Sequence, residues 1–389
     1  MASNSHRAVA MAAGGLVALA AAMGIGRFVY TPILPYMVDA LGLTRSEAGI
    51  IASANFLGYL LGALIAAWPG LPGSRRGWLL AAVAVSGLTT AAMGLTDSRP
   101  AFLLLRFAGG MASAFTLVFA SALVLDRLAL AGRAGFASIH FAGVGAGIAV
   151  SAVLVTALAG LGVGWQGLWL ASGGLALLAL GAIVRLLPDA PDNRPATPKT
   201  PATSRQNRQL YRLIAAYGLF GFGYVITATF ISAMVRTLPA LQPVEPVIWL
   251  VFGLAAVPSV ALWVRLGRGI GLARSFALAC LVEAAGVAAT VLSVDAATVL
   301  LGTALLGGTF MGLTALGFML ARTLSDGDPR RSLGLMTASF GLGQMIGPAF
   351  AGYAYEAAGN LLLPSLTASA ALIVAAALVT EWRPATPRS

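Results

Sequence analysis

Charged residues are scarce in this chain. They account for 10% of its 389 residues, whereas 59% are hydrophobic, and the mean hydropathy is +0.88. A water-soluble domain carries about 25% charged residues. The shortage therefore excludes an ordinary soluble domain and indicates that lipid surrounds most of the chain.

Cysteine and histidine are scarcer still. Cys280 is the only cysteine, which excludes a disulfide or a paired-thiolate metal site within one chain. His6 and His140 are the only histidines, too few for a zinc site built from protein ligands alone. No phosphate-binding loop surrounds Lys199, the single lysine, and no Gly-x-Ser-x-Gly motif occurs. We therefore expect no cofactor, no metal and no enzymatic activity.

Long hydrophobic runs fill most of the chain. A helix needs about 20 apolar residues to cross the hydrocarbon core, and in lipid it satisfies its own backbone groups. The first run resembles a signal peptide, but its length favours an uncleaved helix. The sequence predicts twelve membrane-crossing helices, named spans 1 to 12, at 8–37, 47–68, 78–96, 100–126, 134–159, 165–187, 210–238, 245–264, 273–293, 297–321, 332–355 and 361–380.

The longest interruption is rich in proline and charge. Residues 188–209 contain five prolines and six charged residues, a composition typical of a flexible linker. We therefore divide the chain into an N-terminal six-helix bundle (1–187), a cytoplasmic linker (188–209) and a C-terminal six-helix bundle (210–389).

Basic residues are distributed unevenly among the predicted loops. With the N-terminus in the cytoplasm, 19 of the 24 Lys and Arg residues fall on the cytoplasmic side. Arg45, Arg99 and Arg236 fall outside, and Arg27 and Arg106 lie within spans. This bias predicts that both termini are cytoplasmic in a bacterial inner membrane. The net charge of +11 then reflects orientation, and we expect no nucleic-acid partner.

Glycine pairs suggest that the two halves are related. The pair Gly109-Gly110 in span 4 recurs as Gly307-Gly308 in span 10, at an offset of 198 residues. The motif at 143–145 in span 5 recurs at 341–343 in span 11 with the same offset, and 24–26 in span 1 recurs at 221–223 in span 7. An internal duplication with six helices in each half is typical of transporters, whose solute site lies between the halves.

Several motifs resemble those of the major facilitator superfamily. They are Pro32-Ile33-Leu34-Pro35 in span 1, Arg106-Phe107-Ala108-Gly109-Gly110 in span 4, and Gly343-Gln344-Met345-Ile346-Gly347-Pro348 in span 11. The stretch Gly-Ile-Gly-Arg-Phe-Val-Tyr-Thr-Pro at 24–32 resembles the YbfB/YjiJ-type bacterial subgroup.

The resemblance implies an all-α membrane protein with 12 transmembrane helices in two pseudo-symmetric halves. Spans 1, 4, 7 and 10 would line the central cavity, spans 2, 5, 8 and 11 would form the moving interface, and the other four would face lipid.

Two departures from the family pattern bear on function. The loop after span 2 contains Arg75 and Arg76 but no aspartate of the superfamily's cytoplasmic latch. Span 5 lacks the proline of the antiporter motif, which argues against a drug exporter.

Arg27 is the strongest candidate for a binding residue. It lies eight residues, roughly 12 Å, from Pro35 at the outer end of span 1. An arginine inside a membrane helix costs about 2.5–3.5 kcal/mol on insertion scales, so it needs a cavity, an ion pair or a solute. Arg106 lies at a similar depth in span 4, and we expect the two guanidinium groups to clamp an anion together.

Other polar residues complete the predicted site. Tyr30, Asn55, Tyr224 and Gln344 are expected to shape the pocket. Glu283, in the peripheral span 9, and His140 are candidates for proton coupling. Residues that would let the helices slide or bend during gating are Gly143, Gly147, Gly341, Gly343, Gly347 and Pro348.

These features predict a monomeric secondary active transporter. It would move a small anionic organic solute across the inner membrane by alternating access, with or without protons. One alternative is a proton-driven efflux pump for drugs or toxicants. Another is a membrane sensor that transports nothing.

Overall fold

The chain folds into a bundle of long helices. The computed structural model describes residues 2–68, 70–187, 204–325 and 330–380, and this part contains helices and no strand. Most of the predicted linker, residues 188–203, lies outside the described residues. The division into two bundles and a cytoplasmic linker therefore stays a prediction.

Span 1 is the one interrupted span in the described part of the chain. It consists of an α-helix Ala2–Leu19, a π-helical segment Ala20–Ile25 and a second α-helix Tyr30–Leu41. The others are Arg45–Ala66, Arg75–Ala92, Arg99–Leu130, Ala137–Gly160, Trp165–Leu186, Ser204–Thr237, Glu245–Ile270, Leu272–Leu292, Ala296–Leu324, Arg330–Ala358 and Leu362–Thr380, for spans 2 to 12 in order.

Eleven helical stretches in the described residues are long and apolar enough to cross a membrane. Span 11 is not among them. It packs between spans 2 and 7, so its polar side chains meet protein. Ser339, for example, donates a hydrogen bond to the Ile214 carbonyl of span 7 at 2.8 Å. The polar side of span 11 thus packs against protein, while apolar residues such as Leu342 and Ile346 remain exposed on its other side.

Two helix pairs form most of the interface between the halves. Span 2 packs along span 11, and span 5 packs along span 8. Glycines allow the close approach: a Cβ at Gly49 would overlap the Pro348 carbonyl, and a Cβ at Gly145 would overlap the backbone around Val257. Small residues at such crossings are the usual means of packing helices in lipid.

Equivalent contacts in the two halves define the repeat. Gly110 of span 4 lies against the carbonyl of Asn55 in span 2, and Gly307 of span 10 lies against the carbonyl of Phe252 in span 8. Both members of the second pair lie 197 residues after those of the first. The predicted offset of 198, which paired Gly109 with Gly307, is therefore wrong by one residue.

The predicted pairing of Gly143 with Gly341 is also wrong. Gly143 packs against the Leu16 carbonyl of span 1 in its own half, whereas Gly341 meets Leu60 of the other half. The counterpart of Gly143 is Gly343, which packs against the Gly218 carbonyl of span 7. A Gly-x-Gly motif presents two opposite helix faces, so the motif alone does not fix which glycine faces which neighbour.

Candidate functional site

The interruption of span 1 exposes backbone carbonyls inside the bundle. After the π-helical segment, the amide of Thr31 bonds back to the Phe28 carbonyl at 3.2 Å, which is a tighter turn than an α-helix makes. Pro32 follows and has no amide hydrogen to donate. The carbonyls of Gly26 and Arg27 point instead to span 4.

Arg106 binds these two carbonyls. Its guanidinium donates to the Arg27 carbonyl at 3.1 Å and to the Gly26 carbonyl at 3.4 Å, and it lies 4.9 Å from the ring centre of Tyr30. The side-chain amide of Asn55 in turn donates from Nδ2 to the Arg106 carbonyl at 2.8 Å. Arg106 is 4% exposed. This arginine therefore ties span 4 to the break in span 1.

The Arg27 side chain points in a different direction. Its Nη2 donates to Gln344 Oε1 of span 11 at 2.7 Å, and its guanidinium carbon lies 4.1 Å from the ring centre of Tyr59 and 4.8 Å from that of Phe56. Arg27 is 2% exposed, and its Nε has no hydrogen-bond partner. No carboxylate of the described residues forms an ion pair with it.

Tyr224 continues this polar contact into span 7. Its hydroxyl accepts a hydrogen bond from Gln344 Nε2. Its ring stacks on Phe310 at 4.7 Å between centres and on Phe340 at 5.9 Å. Arg27, Gln344 and Tyr224 thus form a hydrogen-bonded chain that joins the two halves.

A small cavity adjoins this chain. Its volume is about 20 Å³, which is room for roughly one water molecule. Spans 1, 4, 7 and 10 line it, as the family resemblance implies, together with spans 2 and 11. The lining residues are Met23, Arg27, Tyr59, Leu117, Tyr217, Tyr224, Phe310, Met311, Thr314, Phe318, Thr337 and Phe340.

The cavity extends from Arg27 toward the predicted inner end. Met23 precedes Arg27 in the outward-running span 1, and Tyr217 precedes Tyr224 in span 7. Phe318 lies further inward along span 10 than Phe310. The small cavity beside Arg27 therefore lies on the predicted inner side of this arginine.

Charged contacts hold the halves together at the predicted outer end. Arg236 of span 7 forms an ion pair with Asp39 of span 1 at 2.9 Å and a second with Glu245 at 3.2 Å. Ser46 of span 2 donates to Glu356 of span 11 at 2.6 Å. We call the three residues Asp39, Arg236 and Glu245 the outer latch.

The basic loop after span 2 makes contacts of another kind. Arg75 pairs with Asp126 of span 4 at 3.0 Å, and Arg76 donates to the Leu187 carbonyl at 2.6 Å. These contacts stay within the N-terminal half. The loop after span 2 thus lacks the aspartate of the family's cytoplasmic latch, whereas the charged contact described above joins the halves at the opposite end of the bundle.

The structure separates the predicted pocket residues into two groups. Arg27 and Tyr224 line the cavity, and Gln344 bonds to both. Arg106, Tyr30 and Asn55 do not line it: Tyr30 donates to the Ala48 carbonyl at 2.8 Å, and the other two hold the backbone as described. The expected two-arginine clamp is therefore not formed in this conformation.

The two coupling candidates lie in different settings. His140 Nε2 lies 3.0 Å from Ser121 Oγ within the N-terminal half, and its ring packs on Gly15 away from the cavity. Glu283 was expected on a peripheral helix, yet it is fully buried and neither carboxylate oxygen has a hydrogen bond of normal geometry.

The predicted gating residues also divide. Gly143 and Gly147 pack on span 1, and Gly343 and Gly347 pack on span 7, each within its own half. Gly341 and the Pro348 carbonyl face span 2 across the interface. Gly145, which the sequence analysis did not select, also lies on that interface.

Tyr59 is a cavity residue that the sequence analysis missed. It follows Gly58, whose missing side chain lets span 2 contact the Phe107 carbonyl of span 4. An aromatic residue beside a packing glycine is a weak signal, because this composition offers many such pairs.

Two solved transporters share the fold. One is a bacterial homolog of the human lysosomal transporter Spinster, described as inward-facing and unoccupied: TM-score 0.69, 14% identity, 98% of this chain and 99% of that chain covered. The other is a mutant of the nucleoside transporter NupG: TM-score 0.70, 14% identity, 95% and 99% covered. These likenesses define a major facilitator fold.

The family follows from the sequence. The family model described as an uncharacterised MFS-type transporter, YbfB, matches residues 19–380. The chain belongs to this family, which confirms the predicted resemblance. A comparison with curated proteins found no match. The protein is thus a membrane-embedded secondary transporter of the major facilitator type and not an enzyme.

Proposed function

We propose that this transporter moves a small organic monoanion with an apolar body and binds it at Arg27. The observation that carries the proposal is the buried guanidinium, which lacks a carboxylate partner among the described residues. Removing one partner from a buried ion pair is strongly destabilising, so an unpaired buried cation favours an anionic ligand. Its five N–H donors suit a carboxylate or a sulfonate.

The lining sets the rest of the solute's chemistry. Tyr217, Tyr224, Phe310 and Phe340 present rings to the cavity, while Arg27 supplies its charge. One cation suits one negative group, and aromatic walls suit an apolar or aromatic body. The volume of about 20 Å³ excludes such a solute from the present conformation. Binding therefore requires the halves to separate around the site.

The proposed transport cycle is alternating access. In the present conformation the outer latch joins the halves at the outer end, and the cavity beside Arg27 extends inward. Rocking across the span 2–span 11 and span 5–span 8 interfaces would break the latch and open the outer side. We infer from the arginine bias that the outer end faces the periplasm and both termini face the cytoplasm.

A thermal-shift experiment on the purified full chain tests the binding site. Benzenesulfonate and benzoate are the anionic probes, and benzamide and benzylamine are neutral and cationic matches. We expect the anions alone to raise the melting temperature, because a ligand of the folded state stabilises it. Arg27→Gln should abolish the shift, and Arg99→Gln, in which an exposed arginine is lost, should retain it.

The same experiment weighs the alternatives. The alternative outcome is that benzylamine and benzamide raise the melting temperature. If both did so, and if the rise were the same in Arg27→Gln, the result would support efflux of amphipathic compounds that bind the aromatic lining. No shift with any probe, in a protein that also fails to transport them, would contradict the monoanion proposal and favour the sensor.

A further inference from the structure

A second cavity lies at the predicted outer end of the bundle, apart from the site at Arg27. Its volume is about 490 Å³, within the range of about 300–1,000 Å³ that is typical of ligand pockets. The outer ends of spans 7, 9, 11 and 12 form its wall, and Arg45, the first residue of span 2, completes it from the other half. The outer latch and the proposed solute site contribute no residue to this wall.

Arg45 brings a positive charge without a partner to this cavity. Its Nη1 is buried and has no hydrogen-bond partner in the described part of the chain, and its guanidinium carbon lies 5.3 Å from the ring centre of Tyr355 in span 11. No ion pair among the described residues includes Arg45. The nearby carboxylate of Glu356 instead accepts hydrogen bonds from the amide and hydroxyl of Ser46, at 3.0 and 2.6 Å. The guanidinium is therefore available to bind an anion.

The lining changes from polar to apolar with depth. Thr237, Ser293 and Asn360 lie at the rim, where spans 7, 9 and 11 end. Phe230 lies seven residues further into span 7, roughly 10 Å deeper, and together with Met234 it forms an apolar floor. A phospholipid has the same order of polarity, with its phosphate at the membrane surface and its acyl chains pointing to the centre.

Apolar residues beside the cavity remain exposed on the outside of the bundle. Val294 and Leu362 line it and are 64% and 41% exposed, and the neighbouring Leu292 and Leu363 are exposed as well. Exposed apolar residues grouped in this way mark a membrane or interaction surface. In a membrane-embedded chain they place the mouth of the cavity beside lipid.

We propose that this cavity binds an anionic phospholipid, with the phosphate at Arg45 and one acyl chain along the apolar floor. Arginine forms charge-assisted, often paired hydrogen bonds with phosphate oxygens, and basic pockets between membrane helices bind anionic lipid headgroups. Arg45 belongs to the N-terminal half, and every other lining residue belongs to the C-terminal half. The bound lipid therefore joins the halves and favours the conformation in which the outer end is closed.

Photocrosslinking of the full chain in nanodiscs locates the lipid. The bilayer is phosphatidylcholine with a trace of phosphatidylglycerol that carries a photoreactive group in one acyl chain, and mass spectrometry identifies the crosslinked residues. We expect crosslinks at Phe230 and Met234, because a phosphate at Arg45 places the chain beside them. A photoreactive phosphatidylcholine with the same chains should give fewer crosslinks, since Arg45 repels its choline cation.

Substitutions around the guanidinium test its role. Arg45→Gln should reduce these crosslinks about tenfold, because a charge-assisted hydrogen bond to phosphate is lost. Arg45→Lys should keep part of the signal. Tyr355→Leu, which removes the ring beside the guanidinium, should reduce it about two- to fivefold. Arg99→Gln removes an exposed arginine at the same end, and this matched control should leave the crosslinks unchanged.

A labelling rate measures the effect of the lipid on the outer end. Ser232 is 3% exposed and does not line this cavity, so an impermeant maleimide reaches Ser232→Cys, in a Cys280→Ser background, when the outer end opens. Nanodiscs of phosphatidylglycerol should slow this labelling relative to phosphatidylcholine, by up to about tenfold if the lipid exceeds its dissociation constant by about that factor. Arg45→Gln should remove the difference between the two lipids.

Other results overturn the proposal. Crosslinks spread evenly over the exposed apolar residues, or unchanged in a folded Arg45→Gln, would refute the lipid site. Loss of the crosslinks in an excess of inorganic phosphate would show that a free anion, and not a lipid, occupies Arg45. Equal labelling of Ser232→Cys in the two lipids would refute the link to closure of the outer end. None of these outcomes involves Arg27, so they leave the proposed solute site unaffected.

Discussion

The two halves share a packing scheme but not a chemistry. Gly110 on Asn55 in the N-terminal half matches Gly307 on Phe252 in the C-terminal half. At the matched position, however, Asn55 holds the backbone of span 4 by its amide, whereas Phe252 packs against Phe310. The repeat therefore preserves where helices touch and leaves the polar residues free to differ.

Buried charge shows the same contrast. The N-terminal half buries Arg27 and Arg106, and the C-terminal half buries Glu283. The cations and the acid lie on opposite sides of the interface between the halves. The duplicated scaffold therefore carries unlike buried charges in its two copies.

The largest expected effect separates the two arginines. Arg106→Gln should lower the free energy of unfolding by about 2–5 kcal/mol, because two buried carbonyls of span 1 lose their donor. Arg27→Gln should leave stability close to wild type, since that side chain binds no backbone carbonyl of the break. Melting curves in detergent without ligand measure both. Equal destabilisation by the two variants would contradict the assignment of a structural role to Arg106 alone.

The matched glycines should give a smaller effect of equal size in both halves. Gly110→Ala and Gly307→Ala each place a Cβ against a backbone carbonyl of the neighbouring helix. Overpacking of this kind costs about 1–3 kcal/mol. Gly174→Ala, which meets open space, serves as the control in the same melting assay. If only one of the two variants lowered the melting temperature, the two halves would not share this packing contact.

The smallest expected effect concerns the outer latch. Asp39→Asn removes an ion pair whose members are partly exposed, and such pairs contribute about 0–1 kcal/mol. We expect the outer end to open more often, by a factor of up to about five. The measurement is the labelling rate of Ser232→Cys by an impermeant maleimide in a Cys280→Ser background.

The control for the latch is Glu47→Gln. It removes the ion pair between Glu47 and Arg99, which lies at the same end but within one half. Its labelling rate should equal that of the parent. If both variants raised the rate alike, loosening of the outer end in general, and not the latch, would be the cause.

The sequence predicted the helices well because hydropathy decides them. Span 11 is the instructive case: it is less apolar than the other spans and packs between spans 2 and 7, yet its apolar run was still long enough for the sequence to predict it. The positions of Arg27, Tyr224 and Gln344 in one site followed from depth and helix number.

The role of Arg106 was beyond sequence reasoning. It depends on a backbone interruption at Ala20–Ile25, whose residues are ordinary helix formers with one glycine. Glu283 was placed at the periphery because span 9 was treated as lipid-facing. The helix does face lipid on one side, with Leu278 and Leu281 exposed, but the acid points to the other side. The rotation of span 9 about its own axis decides whether Glu283 faces lipid or protein. A sequence rich in Ala, Leu and Gly does not specify that rotation.

The π-helical segment of span 1 also encodes the direction of the binding side chain. Each residue turns an α-helix by about 100°. If all six residues of Ala20–Ile25 were wound as a regular α-helix, the wider π-helical turns would tighten, and every later side chain would rotate about the helix axis by about that angle. Arg27 would then leave the cavity for the neighbouring helices, so the wide winding of this segment, as much as the arginine itself, specifies the site.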